Sequence, residues 1–153
     1  MTRALILILG MAALGLPACR EAPPPAPPPD PAAAEVRAFL ENYFAVWSAN
    51  NMDGYGKLFA PEAVVHFAEK GGAVHLLPLG PFLESQKAAQ AEHKMNEGPL
   101  SITVRMSPDD RVAQAAVRWK LVDGARTEIG WDHFTLLRHE GGWRIVSLLF
   151  YTE

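Results

Sequence analysis

The sequence predicts a single α+β domain in which helices come first and an antiparallel sheet follows. Apolar residues recur every three or four positions between residues 36 and 47, which is the spacing of one helix face. From residue 100 onward, segments of alternating apolar and polar residues are separated by glycine-containing turns, the pattern of a strand meander. A chain of 153 residues allows one domain of ordinary size.

Three helices are predicted in the first part of the domain. The first begins after Asp30, a good N-cap that precedes a proline, and it should end near residue 50. A short second helix, capped by Asp53, is stopped before Pro61, and a third helix lies within residues 81–96. The apolar stripe of the first helix consists of Val36, Phe39, Leu40, Tyr43 and Trp47.

The strands are predicted from alternation and from their turns. A hairpin is expected in residues 63–77, with Gly71 and Gly72 at its turn. Asp123-Gly124 and Gly141-Gly142 mark the two later hairpin turns. The four strands of the predicted meander are residues 100–106, 112–122, 130–137 and 143–151.

The turns also predict which residues face each other. If Asp123-Gly124 is a two-residue turn, Ala115 lies opposite Asp132. If Glu140 lies opposite Trp143 across the next turn, Asp132 also lies opposite Tyr151. An odd-length turn would invert these assignments, because successive side chains point to opposite faces.

This register divides the sheet into an apolar inner face and a mixed outer face. Asp132 is predicted to point inward, and His133 outward. The inner face would hold Ala113, Ala115, Val117, Trp119, Leu121, Asp132, Phe134, Leu136, Ile145, Leu149 and Tyr151. The outer face would hold Gln114, Arg118, Lys120, Ile129, Trp131, His133 and Thr135.

The order of these segments resembles the NTF2-like superfamily, which includes the SnoaL-like proteins and the ketosteroid isomerases. The similarity runs over about residues 34–153 and includes "SANNMDGYGKLFAPEAVVHF" and the final "GGWRIVSLLFY". It implies a cone in which three N-terminal helices pack on a curved antiparallel sheet of four long strands plus a short hairpin. Such a cone encloses a deep apolar pocket.

The resemblance to the isomerases also implies roles for three residues. "DHF" at residues 132–134 is similar to the segment around the isomerases' neutral acid, which makes Asp132 the counterpart of that acid. Tyr43 matches the hydroxyl donor that shares the oxyanion with this acid. Phe67 matches the base, and a phenylalanine cannot take a proton. Enzymatic activity is therefore uncertain.

Other polar clusters are weaker candidates. A turn centred on Lys70-Gly71 would place His66 opposite His75, a pair that could bind a metal, but spacing fixes no third ligand. A bulge would instead turn His66 inward as a base. The polar stripe of Gln86, Gln90 and His93 is typical of a solvated helix face. No metal site and no cofactor are predicted.

The function predicted from the sequence is the binding of an apolar small molecule. The polar contacts would be Tyr43 and Asp132, and the predicted pocket consists of Tyr43, Phe67, Trp119, Asp132, Phe134, Leu149 and Tyr151. One alternative is an isomerase-like or dehydratase-like enzyme that uses Tyr43 and Asp132 as oxyanion donors. Another is a scaffold that binds a partner, or a second copy in a homodimer, through the outer sheet face. A formal charge of −3 without a basic stripe argues against nucleic acid as a partner.

The N-terminal residues predict an export signal and a lipid anchor. "MTRALILILGMAALGLPAC" has one early arginine, an apolar run and small residues at its end, the layout of a secretory signal in residues 1–18. "LPAC" resembles the lipobox of bacterial lipoproteins, which implies lipidation of Cys19, the only cysteine of the chain. A lone free thiol would be a liability in an oxidising compartment, and acylation removes it.

The next residues predict a tether between the lipid and the domain. Seven prolines between residues 23 and 31 favour an extended, semi-rigid segment over residues 19–31, and the domain then occupies residues 32–153. The predicted location is the bacterial cell envelope, on the periplasmic side. Arg20 after the cysteine, in place of aspartate, favours the outer membrane over the inner one.

Overall fold

The computed structural model describes residues 30–153. The predicted signal peptide, Cys19 and all of the tether before residue 30 lie outside these residues. The described part contains three helices, α1 (Pro31–Ser48), α2 (Met52–Gly56) and α3 (Leu79–Glu92). It also contains six strands: β1 (Phe59–Ala68), β2 (Val74–Pro78), β3 (Met95–Met106), β4 (Val112–Asp123), β5 (Arg126–His139) and β6 (Gly142–Thr152). No helix among these residues is long and apolar enough to span a membrane.

Helix α1 follows its sequence signals closely. The carboxylate of Asp30 accepts a hydrogen bond of 2.9 Å from the backbone N–H of Ala32, and Pro31 occupies the first turn. Its buried stripe consists of Ala32, Val36, Leu40, Tyr43, Phe44 and Trp47. The helix ends before Asn50, whose φ of 55° lies in the left-handed region. Helix α2 is capped by Asn51 rather than by the expected Asp53, since the side chain of Asn51 accepts from the N–H of Gly54 at 3.0 Å.

All six strands belong to one sheet, in the order β2-β1-β6-β5-β4-β3. The expected four-strand meander is present as β3 to β6, with antiparallel neighbours. The hairpin β1–β2 is not a separate addition, because β1 pairs in parallel with β6 and extends the same sheet. The fully antiparallel sheet of the prediction is therefore corrected to a mixed one. The three helices cover its inner face and form the core with it.

The β4–β5 hairpin confirms the predicted faces although its register differs from the prediction. Asp123 pairs with Arg126, so the turn residues are Gly124 and Ala125, and Asp132 lies opposite Val117 rather than Ala115. The shift is two residues, which leaves every side chain on its predicted face. Asp132 points inward and is only 3% exposed.

The β5–β6 hairpin contains a bulge that the sequence did not reveal. Leu136 pairs with Ile145 and Thr135 with Ser147, so Val146 is an extra residue on β6. Because one extra residue reverses the alternation, all positions after Val146 change face.

The bulge overturns two predicted pocket positions. Leu149 and Tyr151 lie on the outer face, opposite His133 and Trp131 respectively. The inner positions are taken by residues 148 and 150, of which Leu148 is fully buried. The prediction that Leu149 and Tyr151 line the pocket is therefore wrong.

The β1–β2 hairpin differs from its prediction by one residue. The backbone N–H of Glu69 donates to the carbonyl of Ala73, which leaves a turn of three residues. A turn with an even number of residues was expected. Phe67 then pairs with His75, and His66 faces away from the core opposite Leu76. The predicted histidine pair is therefore split between two faces. Within residues 30–153 no group of three histidine, cysteine, aspartate or glutamate side chains is placed to hold a metal.

Candidate ligand-binding cavity

A cavity of about 230 Å³ lies between the inner face of the sheet and the three helices. Its lining residues come from α1, α2, α3, β3, β4, β5 and β6, and six of them are aromatic. The lining residues are Tyr43, Trp47, Tyr55, Phe82, Gln86, Ala89, Met95, Glu97, Trp119, Leu121, Glu128, Asp132, Leu148, Phe150 and Thr152.

Three of the seven predicted pocket residues line this cavity, namely Tyr43, Trp119 and Asp132. Phe134 is buried behind it, with its ring centroid 5.1 Å from that of Tyr43. Phe67 is outside the lining and packs on Phe150 with ring centroids 5.2 Å apart. Strand β1 therefore presents the aromatic ring of Phe67 next to the cavity, not a titratable group.

Two tyrosine hydroxyls are paired at the helical wall. The hydroxyl of Tyr55 donates to that of Tyr43 over 2.7 Å, and both residues are buried. Burial raises the pKa of both phenols well above their ordinary value. Because Tyr43 accepts from Tyr55 in this arrangement, its own proton is available to an acceptor in the cavity.

Asp132 is fixed on the opposite wall by the indole of Trp119. The indole Nε1 donates to Oδ1 of the carboxyl group over 2.8 Å. Burial raises the pKa of Asp132 well above its usual range, and the neighbouring Glu97 carboxyl adds to this effect, whereas the indole hydrogen bond opposes it. The site thus holds a carboxyl group that resists ionisation.

Glu97 is the second carboxyl group inside the cavity. Its backbone is clamped to α1, because the hydroxyl of Ser48 donates to the Glu97 carbonyl and accepts from the Glu97 N–H, both at 2.8 Å. Its carboxyl group forms none of the ion pairs found in residues 30–153. Burial raises the pKa of Glu97 to about 8, although part of the residue's surface stays accessible.

Glu97 and the glutamines of α3 were missed in the sequence. The third helix ends at Glu92, before the predicted residue 96, and β3 begins at Met95 and passes through a proline. Proline normally ends a strand, but here it lies at a register shift between Pro99 and Ser101. The prediction of a solvated stripe on α3 is also corrected in part. The side chain of Gln86 accepts a hydrogen bond of 2.9 Å from the indole of Trp47, and the side chain of Gln90 donates one of 3.2 Å to the Trp47 carbonyl.

The outer face of the sheet carries a larger but shallower depression of about 430 Å³, which His133 helps to line. Beside it, the rings of Trp131, His133 and Tyr151 stack at centroid distances of 6.3 and 5.9 Å. The outward direction predicted for His133 is confirmed. The inner cavity is the better candidate site, because it combines deep walls with buried carboxyl and hydroxyl groups.

Solved structures show the same fold. A protein from Novosphingobium aromaticivorans described as "Putative Scytalone Dehydratase" aligns with a TM-score of 0.65 and 12% identity, over 78% of this chain and 83% of that one. A "putative dehydratase from the NTF2-like family" of Streptomyces avermitilis aligns with a TM-score of 0.66 and 14% identity, over 79% and 95%. An NTF2-like protein with a cystatin-like fold, also from Novosphingobium aromaticivorans, gives 0.61 and 14%, over 78% and 80%.

At these identities the likeness shows the fold, which is the α+β cone of the NTF2-like superfamily with a six-stranded curved sheet. None of the curated proteins matches the sequence. One protein family does, over residues 31–151, which is nearly the whole described domain. The chain belongs to this family, whose description is "Putative lumazine-binding".

Proposed function

We propose that the domain binds a compact, largely apolar small molecule in the inner cavity. The observation that carries this proposal is the cavity itself, whose largely apolar walls, with six aromatic residues, surround the hydroxyl of Tyr43 and the carboxyl groups of Glu97 and Asp132. Small-molecule sites typically combine apolar walls with a few convergent polar groups. A volume of about 230 Å³ equals roughly eight water molecules at about 30 Å³ each, so a ligand of one or two rings is the appropriate size.

The family description supports a ligand of this size. The family is described as "Putative lumazine-binding", and lumazine is a compact two-ring heterocycle. Lumazine is therefore the first compound to test against this chain.

The test is the recovery of co-purifying small molecules. The full-length chain, Asp132→Ala and Tyr43→Phe are purified in parallel, and their bound compounds are identified by mass spectrometry. We expect recovery from the wild-type chain and at least tenfold less from Asp132→Ala. Equal recovery from all three proteins would show that the ligand binds elsewhere.

A second candidate function is proton transfer on a carbonyl compound. It is supported by the hydroxyl of Tyr43 and the carboxyl group of Asp132, which line one cavity and could both donate to an oxyanion. Two structural relatives are described as dehydratases. The predicted base position holds Phe67, and His66 faces outward, so Glu97 is the cavity group that could accept a proton. Isomerisation of a small β,γ-unsaturated ketone, compared between the wild type and Glu97→Gln, tests this function.

For the location of the domain, we propose a lipid anchor on Cys19 at the periplasmic side of the envelope, where Arg20 after the cysteine favours the outer membrane over the inner one. Metabolic labelling with a fatty acid and membrane fractionation of the wild type and Cys19→Ala test it.

Pairing of two copies through the outer sheet face is also proposed, since Val64 and Leu76 expose 40% and 61% of their surface. Light scattering of the wild type and Leu76→Glu tests that pairing.

A further inference from the structure

The carboxyl groups of the cavity have no internal countercharge. The lining residues include Glu97, Glu128 and Asp132, but no lysine, arginine or histidine among the residues that the structure describes. Glu128 is already paired with Arg126, a highly exposed side chain. Glu97 and Asp132 are therefore two acidic groups that line one cavity without a cationic side chain beside them, an arrangement that is costly when either one ionises.

The walls around these acids suit a positive charge for a second reason. Tyr43, Trp47, Trp119 and Phe150 contribute aromatic rings to the same cavity. The faces of aromatic rings attract cations, and the attraction increases when the cation is desolvated. Carboxyl groups and aromatic rings thus line one volume of about 230 Å³.

We propose that the ligand of this cavity is a compact organic cation, an amine carried on one or two rings, with Glu97 as its counter-ion and the neutral carboxyl group of Asp132 as a second hydrogen-bond partner. This inference rests on the proposed small-molecule function and specifies its ligand class. The ammonium group supplies the missing positive charge, and the ring system fills the aromatic part of the cavity. The hydroxyl of Tyr43 remains free to donate to an acceptor on the same ligand.

The inference fixes the sign of the pH dependence. The titratable groups that face Glu97 are Asp132 and Glu128 from β5, Tyr43 from α1 and Tyr55 from α2, whereas α3, β4 and β6 contribute only uncharged lining residues. With a pKa of about 8, Glu97 is mainly protonated near neutral pH in the empty cavity. An ammonium ion favours the ionised form, so binding releases a proton.

The affinity for an amine should therefore rise with pH. For one released proton the association constant increases up to about tenfold per pH unit between pH 6 and 8, and it then levels off. An alkylamine keeps its charge to about pH 10, as lysine does. A neutral hydrogen-bond acceptor would show the opposite trend, because it needs the protonated acids as donors.

Two isosteric probes test the inference. Binding of 2-phenylethylamine and of the uncharged 2-phenylethanol to the full-length chain is measured by isothermal titration calorimetry at pH 6.5 and pH 8, in two buffers of different ionisation enthalpy. We expect the amine to bind at least tenfold more tightly than the alcohol at pH 8, and to release a proton at pH 6.5. An alcohol that binds as tightly as the amine, or no binding of either probe, would overturn the inference.

Matched variants locate the counter-ion. Glu97→Gln keeps the backbone clamp to Ser48 and should lose most of the amine preference and of the pH dependence. Glu62→Gln, which removes an exposed carboxylate of β1 outside the cavity lining, should change the amine affinity by less than threefold. An unchanged amine preference in Glu97→Gln would also overturn the inference. The recovery of co-purified compounds decides separately whether the cavity binds a small molecule at all.

Discussion

The indole of Trp119 lies directly over Gly130 on the neighbouring strand and donates its N–H to Asp132, two residues further along that strand. A β-carbon at Gly130 would lie 2.2 Å from Cζ2 of the indole, far inside normal contact. The absence of a side chain at Gly130 therefore leaves room for the indole and for the backbone carbonyl oxygen of Tyr151, which would lie 2.3 Å from that β-carbon. The hydrogen bond then fixes the buried carboxyl group at the cavity wall.

The first prediction concerns this close approach. Gly130→Ala should displace the indole and destabilise the domain by about 1–3 kcal/mol, as for other overpacked interiors. Urea unfolding monitored by circular dichroism measures the loss. Gly80→Ala is the control, since a β-carbon there meets nothing within 4 Å, and it should leave the stability unchanged or slightly higher. Equal midpoints for the two variants would contradict the proposed contact.

The second prediction concerns the donor to Asp132. Trp119→Phe keeps an aromatic ring but removes the N–H that bonds to Oδ1. The buried carboxyl group then lacks this hydrogen bond, and we expect a loss of about 1–3 kcal/mol in the free energy of unfolding. In Trp119→Phe combined with Asp132→Leu both partners are gone, so the double variant should recover part of that loss. A double variant less stable than Trp119→Phe alone would show that the carboxyl group gains stability elsewhere.

The correct placement of Asp132 from sequence depended on parity alone. The β4–β5 register was predicted two residues away from the observed one, and an even error returns each side chain to its own face. Parity failed on β6, where the extra Val146 moved Leu149 and Tyr151 outward. A bulge has no reliable signature in one sequence, so the outcome could not be foreseen from residues 140–152.

Glu97 was hidden by a different effect. The sequence predicted a helix up to residue 96 and a strand only from residue 100, whereas tertiary pairing with β4 starts β3 at Met95 and extends it through Pro99. The clamp from Ser48 joins residues 49 positions apart, which local patterns cannot report. The fold class and most of the helical stripe, in contrast, follow from local periodicity and were predicted, although Phe44 is buried and Phe39 only partly so.

The third prediction tests that clamp. Ser48→Ala removes both hydrogen bonds to the Glu97 backbone and should cost about 1–2 kcal/mol of stability. Ser85→Ala is the matched control, because its hydroxyl donates only to the carbonyl of Phe82 within the same helix. Thermal unfolding of the three proteins provides the measurement. A shift in Ser85→Ala as large as in Ser48→Ala would argue against a special role for the clamp.

The fourth prediction concerns the pH dependence of stability without ligand. The folded-state pKa of Glu97, about 8, lies above the unfolded value of about 4.3, so the folded chain binds the extra proton between these values. The contribution of Glu97 to stability is therefore largest below about pH 4.3, and it falls as the pH rises towards 8. Because part of Glu97 is accessible, we expect a total loss of about 1–3 kcal/mol, less than a fully buried acid would show.

Urea unfolding of the wild type and Glu97→Gln at pH 5, 6.5 and 8 measures this loss, and the variant should show a smaller decline in the free energy of unfolding. If both proteins declined in parallel, Glu97 would not be the titrating group, and Asp132, whose pKa is raised by the same burial, would be the next to replace.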